Sequence, residues 1–247
     1  MIKQHNAFPY VRQRTVRRLR PYVRRRAPIS LASSGLLFIT GCAASTAVHP
    51  SAQGLVSIQS AVTCPAPPSH AAIADPPRHF AVAPHLVPSH NIGYCAYIAT
   101  SRGVISVRLR PEHAPNAVAD FIDLAQRGFY DGLRFYQTCP ATGGATCPVG
   151  ASIALSGDPT ETGSGGPGYS VASDPVIGNY LFGAVAMYGN DPSTIGSQFM
   201  VSMGDSHTLA RKYDIFGQVT GGIPALAALQ KGDTITWIAI LPTAPEP

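Results

Sequence analysis

Residues 157–169, GDPTETGSGGPGY, place five glycines and two prolines in thirteen positions. That density excludes a regular helix, because glycine carries an entropy cost there and proline lacks the donor. The stretch is a shaped loop. It is followed by two apolar runs that read as strands, LFGAVAMY (181–188) and GSQFMVSM (196–203). Any fold for this chain must seat a long glycine-rich loop among short strands.

Charge decides what the chain is not. Nine of its 18 Lys and Arg residues, Lys3 and the arginines from Arg12 to Arg26, precede residue 27, with no acidic residue among them. The rest carries nine cations against all 13 acidic residues, a net of −4. A nucleic-acid binder needs a basic patch on its folded domain, so nucleic acid is not expected as a partner.

The arginines are followed by ISLASSGLLFIT (29–40), an apolar stretch too short for a stable membrane-spanning helix. A positive region, a short apolar region and then small residues form an export signal. Ile39-Thr40-Gly41-Cys42 resembles the lipobox of bacterial lipoproteins, which implies acylation of Cys42 and a membrane surface reached through a lipid anchor. Arg17-Arg18 precedes Leu19-Arg20-Pro21, a poor match to a twin-arginine signal.

From Ala43 to His90 the chain is rich in Pro, Ala, Ser and His with little periodicity, the composition of a tether. Its histidines are irregularly spaced, with no Cys or acidic partner at helical or hairpin distance, so no metal is expected. Cys64, Cys95, Cys139 and Cys147 remain beside Cys42, and four cysteines in an exported chain allow three disulfide connectivities. The flexible PATGGAT between Cys139 and Cys147 makes their pairing easy; the expected pairs are Cys139 with Cys147 and Cys64 with Cys95. The organisation expected is an export signal at 1–41, a tether at 42–93, a folded domain at 94–242 and a tail at 243–247.

Within the domain, 97–100 and GVISVRL (103–109) read as a hairpin turning at Ser101-Arg102-Gly103, with Ser106 and Arg108 on its polar face. Pro115 then opens a helix whose apolar face is Val118, Phe121, Ile122 and Ala125, with Gly128 just past its end. Further strands are expected at 133–138, 151–156 and 234–241, and a short helix at 223–230. Many short strands and two helices favour all-β closure, which removes exposed edges.

The string APNAVADFIDLAQRGFYDGLRF (114–135), the GDP…GxGGPGY loop, the VAM strand, GSQF (196–199) and Ile215-Phe216-Gly217 come in an order that resembles the cyclophilin family of peptidyl-prolyl cis-trans isomerases. The resemblance covers about 98–241. It implies a mainly β fold, a closed eight-stranded antiparallel barrel with a helix over each end. Rotation about an X-Pro bond faces a barrier of about 18–20 kcal/mol from amide resonance. The family is understood to seat the proline ring in an apolar pocket and to aim an arginine, from a strand motif Phe-His-Arg, at the prolyl nitrogen of the twisted state.

Here that motif reads Phe135-Tyr136-Gln137. An amide donates a weaker hydrogen bond than a guanidinium, and losing a charged donor costs about a hundred- to a thousand-fold in rate. Arg134 faces the other side of the strand, and Arg211 lies in a loop before Tyr213. By the same resemblance Ser152, Ile153 and Leu155 stand where Phe, Met and Gln are expected, Tyr188 and Gly189 replace Ala-Asn, and Met200 replaces a pocket Phe. Tyr213 replaces a histidine and Thr208 a tryptophan, while Leu209 is retained, as is Gln198, which resembles the glutamine that contacts substrate backbone and reads equally as a structural hydrogen-bonding residue. Met187, Phe199 and Phe216 read as barrel core. Gly204-Asp205-Ser206-His207 looks superficially like a hydrolase motif, but adjacent residues do not assemble a triad. The expectation is a weak, extracytoplasmic peptidyl-prolyl isomerase acting on proline-containing segments as a monomer and without a cofactor, the alternative being a non-catalytic proline-peptide binding module.

Overall fold

The computed structural model describes residues 63–83, 88–89, 91–144, 147, 149–189 and 194–244. All belong to the second of two compact units, Leu55–Pro247. The export signal and Cys42 lie outside the described residues. Among those described, no helix is long and apolar enough to cross a membrane.

The hairpin forms as expected, with β1 (Gly93–Thr100) and β2 (Gly103–Leu109) joined through Ser101 and Arg102. The Thr100 hydroxyl donates to the Gly103 carbonyl at 2.8 Å and accepts from the Arg102 N–H at 3.0 Å, which closes the turn. Helix α1 (Pro115–Gln126) follows, with Gly128 just beyond its Arg127 cap. Its N-terminus has no Ser, Thr, Asn or Asp of its own to cap it. The Asp174 carboxylate accepts from the Ala117 N–H at 2.9 Å instead.

Short strands follow: β3 (Gln137–Cys139), β4 (Ile153–Ser156), β5 (Val171–Ala172), β6 (Ala184–Met187), β7 (Thr194–Ile195), β8 (Phe199–Ser202) and β9 (Ile215–Gly221). Helix α2 (Ile223–Ala227) stops three residues before its expected end, and β10 (Ile235–Thr243) closes the chain. Eight strands make one antiparallel sheet in the order β10-β1-β2-β9-β6-β8-β4-β3, with β5 and β7 as a separate pair. The outermost strands share no ladder. They are stitched by an Arg134–Thr234 bridge and by backbone bonds such as Gly132 N–H to Ile235 O (2.7 Å) and Phe135 N–H to Asp233 O (2.8 Å). The fold is the mainly β architecture expected, with closure confined to that seam.

The interior is aromatic. Phe121 of α1 reaches the rings of Phe199 at 5.6 Å and Phe216 at 5.0 Å, and Tyr130 meets Phe199 at 5.6 Å, all at tilted or edge-on geometry. Met187, Phe199 and Phe216 are core residues, as read. The outer faces of β3, β4, β8, β6 and β9 carry a second buried cluster, which includes Ile153, Leu155, Met200 and Tyr213.

Three expectations change. Arg108, placed on a polar face, is buried because the C-terminal residues cover it: its guanidinium bonds Thr243 Oγ1 and donates to Ala244 O at 2.7 Å. Thr243, read as tail, is therefore the end of β10. The segment read as a tether is, over 63–83, an extended strap laid on the domain. Cys64 is bonded to Cys95, the Tyr97 hydroxyl donates to Pro65 O at 2.9 Å, and His70 lies 5.2 Å from the Trp237 ring. This cover is why Tyr97, on the outer face of β1, is as buried as the inward-facing Ile98.

Candidate functional site

The glycine-rich loop is organised by one carboxylate. Asp158 is fully buried, and its Oδ1 accepts from the Thr160 N–H and hydroxyl, each at 2.7 Å. Its Oδ2 accepts from the N–H groups of Thr162 (3.0 Å), Gly163 (2.6 Å) and Ser164 (3.1 Å). Burial opposes its ionisation, but the hydrogen bonds from Thr160, Gly165 and Gly163 outweigh that, and the carboxyl sits below the usual aspartate range. The winding leaves no room at Gly165, where a Cβ would come within 2.1 Å of the Asp158 oxygen.

This loop faces Gln198. The Gln198 Nε2 donates to Gly165 O at 2.8 Å, and the Tyr136 hydroxyl donates to Gln198 Oε1 at 2.6 Å. The amide is thus held at both ends, with one N–H and one lone pair still to offer. Burial raises the Tyr136 phenol, assisted by Tyr188, Asp158 and Tyr213, so the hydroxyl stays a donor. A cavity of about 220 Å³ opens between the loop (Ser164–Pro167, Tyr169) and the wall made by Tyr188, Gly189 and 195–198.

The remaining expected residues divide into groups. Tyr136, Ile153, Leu155, Met200 and Tyr213 pack together, with Tyr188 and Leu209 against them. Met200 and Leu155 are 0% and 1% exposed, so the floor that the resemblance implies for a proline ring is filled by its own side chains. Tyr188 stacks on Tyr213 with centroids 4.9 Å apart. Gln137 stands at the rim, half-buried and paired with Leu155, its Nε2 donating towards Cys139 Sγ at 3.2 Å and Cys147 Sγ at 3.6 Å. Ser152 does not join: its N–H donates to Ser206 Oγ at 2.9 Å, and Gly204 packs against its side chain. Both disulfides, Cys139–Cys147 and Cys64–Cys95, are the expected pairs.

Neither arginine considered as a stand-in is aimed at Gln198. Arg134 Nε lies 3.8 Å from Glu161 Oε1, and Arg211 donates to Val176 O at 3.3 Å. Sequence reasoning passed over Lys212, whose Nζ lies 5.1 Å from the Tyr213 ring centroid. It also passed over Tyr180, which holds Tyr213 in place by donating to its carbonyl (3.0 Å) and accepting from its N–H (2.8 Å). Lys212 is adjacent to Tyr213 and could have been noticed; nothing local marks Tyr180. The Ser206 hydroxyl is engaged with Ser152 and Gly204, as suits a turn and not a nucleophile.

The family model for cyclophilin-type peptidyl-prolyl cis-trans isomerases matches residues 95–243. The chain belongs to that family. It is 37% identical over 137 residues to the probable peptidyl-prolyl cis-trans isomerase A of Mycobacterium leprae, covering 51% of this chain and 72% of that one. It is 33% identical over 139 residues to peptidyl-prolyl cis-trans isomerase B of Bacillus subtilis, covering 55% and 90%. A crystal structure of a Cryptosporidium parvum cyclophilin-type isomerase aligns with a TM-score of 0.49 at 24% identity, over 61% of this chain and 98% of its own. The cyclophilins are isomerases, and that is the enzyme class of this domain. The match begins at Cys95, so the strap lies outside it.

Proposed function

We propose that the domain is a slow peptidyl-prolyl isomerase that takes proline-containing segments across Gln198 and past Gln137. The observation that carries this is the fixed Gln198 amide at the wall of an open cavity, with a glutamine and no cation at the arginine position. Gln198 lines up the peptide backbone, and Gln137 offers the prolyl nitrogen a neutral donor, which stabilises the twisted amide less than a charged one. The filled floor at Leu155 and Met200 favours a second reading, a binding module that holds the segment without accelerating rotation.

A protease-coupled prolyl-peptide assay on wild type and Gln137→Arg separates the two. The first reading expects measurable turnover in wild type and a gain of about a hundredfold in the variant. Absence of turnover in both, with peptide binding retained, leaves the binding module.

We infer further that the chain works as a monomer outside the cytoplasm, exported by residues 1–41 and held at a membrane surface by acylated Cys42. Fatty-acid labelling and membrane recovery that are lost in Cys42→Ser test the anchor, and light scattering of the domain tests the monomer.

A further inference from the structure

The strap ends against the loop that holds Gln198. Arg78 anchors its last part by bonding the carbonyls of Phe129 and Asp131 at the turn after α1. The Phe80 ring is then fixed from two sides, 6.2 Å from the Phe129 ring and 4.9 Å beneath the Arg127 guanidinium. With the ring fixed, the Phe80 N–H donates to Pro167 O at 2.7 Å, and the His79 ring lies against Gly168. Pro167 lines the cavity, and its ring stands across from Gly196, where a Cβ would come within 3.2 Å of it. Two residues back in the same loop, Gly165 O receives the Gln198 amide.

We propose that the strap is part of the peptide site and that Phe80 is a positioning residue, fixing the 165–168 backbone and through it the side chain of Gln198. The rest of the loop is wound on Asp158, which reaches no further than Gly165. Beyond that point the next ties are the Tyr169 hydroxyl on Asp120 at 2.7 Å and the β5–β7 pair from Val171. Pro167 lies between these ties, so the bond from Phe80 sets how far the loop stands from Gly196. The proposal rests on the peptide-site reading above, and its test separates the two.

The test uses the chain carrying the strap with both disulfides formed. The readouts are the backbone amide signals of Gly165, Gly166 and Gly168, the side-chain amide of Gln198 by nuclear magnetic resonance, and KM against kcat for a proline peptide. Phe80→Pro deletes the donor in a segment that is already extended and proline-containing. The expected result is displaced loop and Gln198 signals, with KM raised about fivefold, the scale of one hydrogen bond, and kcat little changed. His70→Ala disturbs the strap where it meets Trp237, ten residues before Phe80, and is expected to leave these signals in place.

If Phe80→Pro does not fold, Arg78→Ala, which frees the same end of the strap, is read in the same way. Loop and Gln198 signals unmoved in the folded variant overturn the proposal, as does an equal response to His70→Ala. If no variant and no wild type turns over peptide, the amide signals still decide the strap, and only the isomerase reading falls.

Discussion

Replacing Asp158 by Asn keeps the size of the side chain and removes its charge, so it isolates what the carboxylate does for the loop. In the wild type the two Thr160 donors meet Oδ1 and three N–H groups meet Oδ2, these five at 2.6–3.1 Å, with the Thr162 hydroxyl a longer contact to Oδ2 at 3.5 Å. An amide can satisfy one of these groups and must turn its NH2 towards the other. Bonds to a charged acceptor net about 1.5–3 kcal/mol and neutral ones about 0.5–1.5 kcal/mol, and a buried donor left without an acceptor costs about 1–3 kcal/mol. Taken at the low end of these ranges, two weakened bonds and three opposed donors come to about 5 kcal/mol. The loop is at the surface and takes in water as it relaxes, so the expected loss is about 3–4 kcal/mol. With a urea slope near 2 kcal/mol per molar, the midpoint falls by about 1.5–2 M. Because the folded Asp158 carboxyl is held below its unfolded value, its contribution is present above the unfolded value and is lost as pH falls through the folded one. The difference between wild type and variant therefore narrows in acid. A midpoint shift under about 0.5 M, or a difference that does not narrow in acid, refutes the account of the loop as wound on a charge.

Asp120 titrates in the opposite sense. Burial, only partly offset by the Tyr169 hydroxyl and reinforced by Asp123, raises its carboxyl to about 7. Stability from this group is full below the unfolded value near 4, falls by about 4 kcal/mol as pH rises to about 7 and is level above that; urea unfolding at stepped pH shows this slope, and Asp120→Asn removes it. Breaking Cys64–Cys95 by Cys64→Ser opens a covalent loop of 31 residues' separation and is expected to cost about 3.5–4 kcal/mol from chain entropy, read as a lowered urea midpoint with Cys139–Cys147 intact. Tyr188→Ala removes the ring stacked on Tyr213 and uncovers the packed cluster; tighter binding of a proline peptide by calorimetry is expected, and weaker binding shows that Tyr188 is instead part of the grip.

Most of what the sequence could say of this protein was local. Helix α1 was legible because Pro115, the apolar spacing from Val118 to Ala125 and Gly128 all lie within fourteen residues. The β1–β2 turn and the Cys139–Cys147 pair were legible for the same reason. The cap of α1 was not, since it comes from Asp174, 57 residues from the N–H it receives. The strap was hidden because it docks by Arg78 on main-chain carbonyls and by a main-chain donor at Phe80, neither of which leaves a periodic pattern. At the site, the loop, Gln137 and Gln198 could be named in advance. That Leu155 and Met200 would fill their own pocket could not, because it depends on how Tyr136, Tyr188 and Tyr213, distant in the chain, pack with them.

The position of the Cys64–Cys95 link has a mechanical consequence. Cys64 stands at the upstream end of the strap and Cys95 in β1, which is laddered on one side to β10 and on the other to β2. Tension arriving along the backbone ahead of Cys64 passes through sulfur into a strand gripped on both flanks, where it must shear many backbone bonds together. It does not reach Arg78 or Phe80, which would otherwise unzip in turn. A domain loaded in this way keeps the cavity beside Gln198 undistorted under drag.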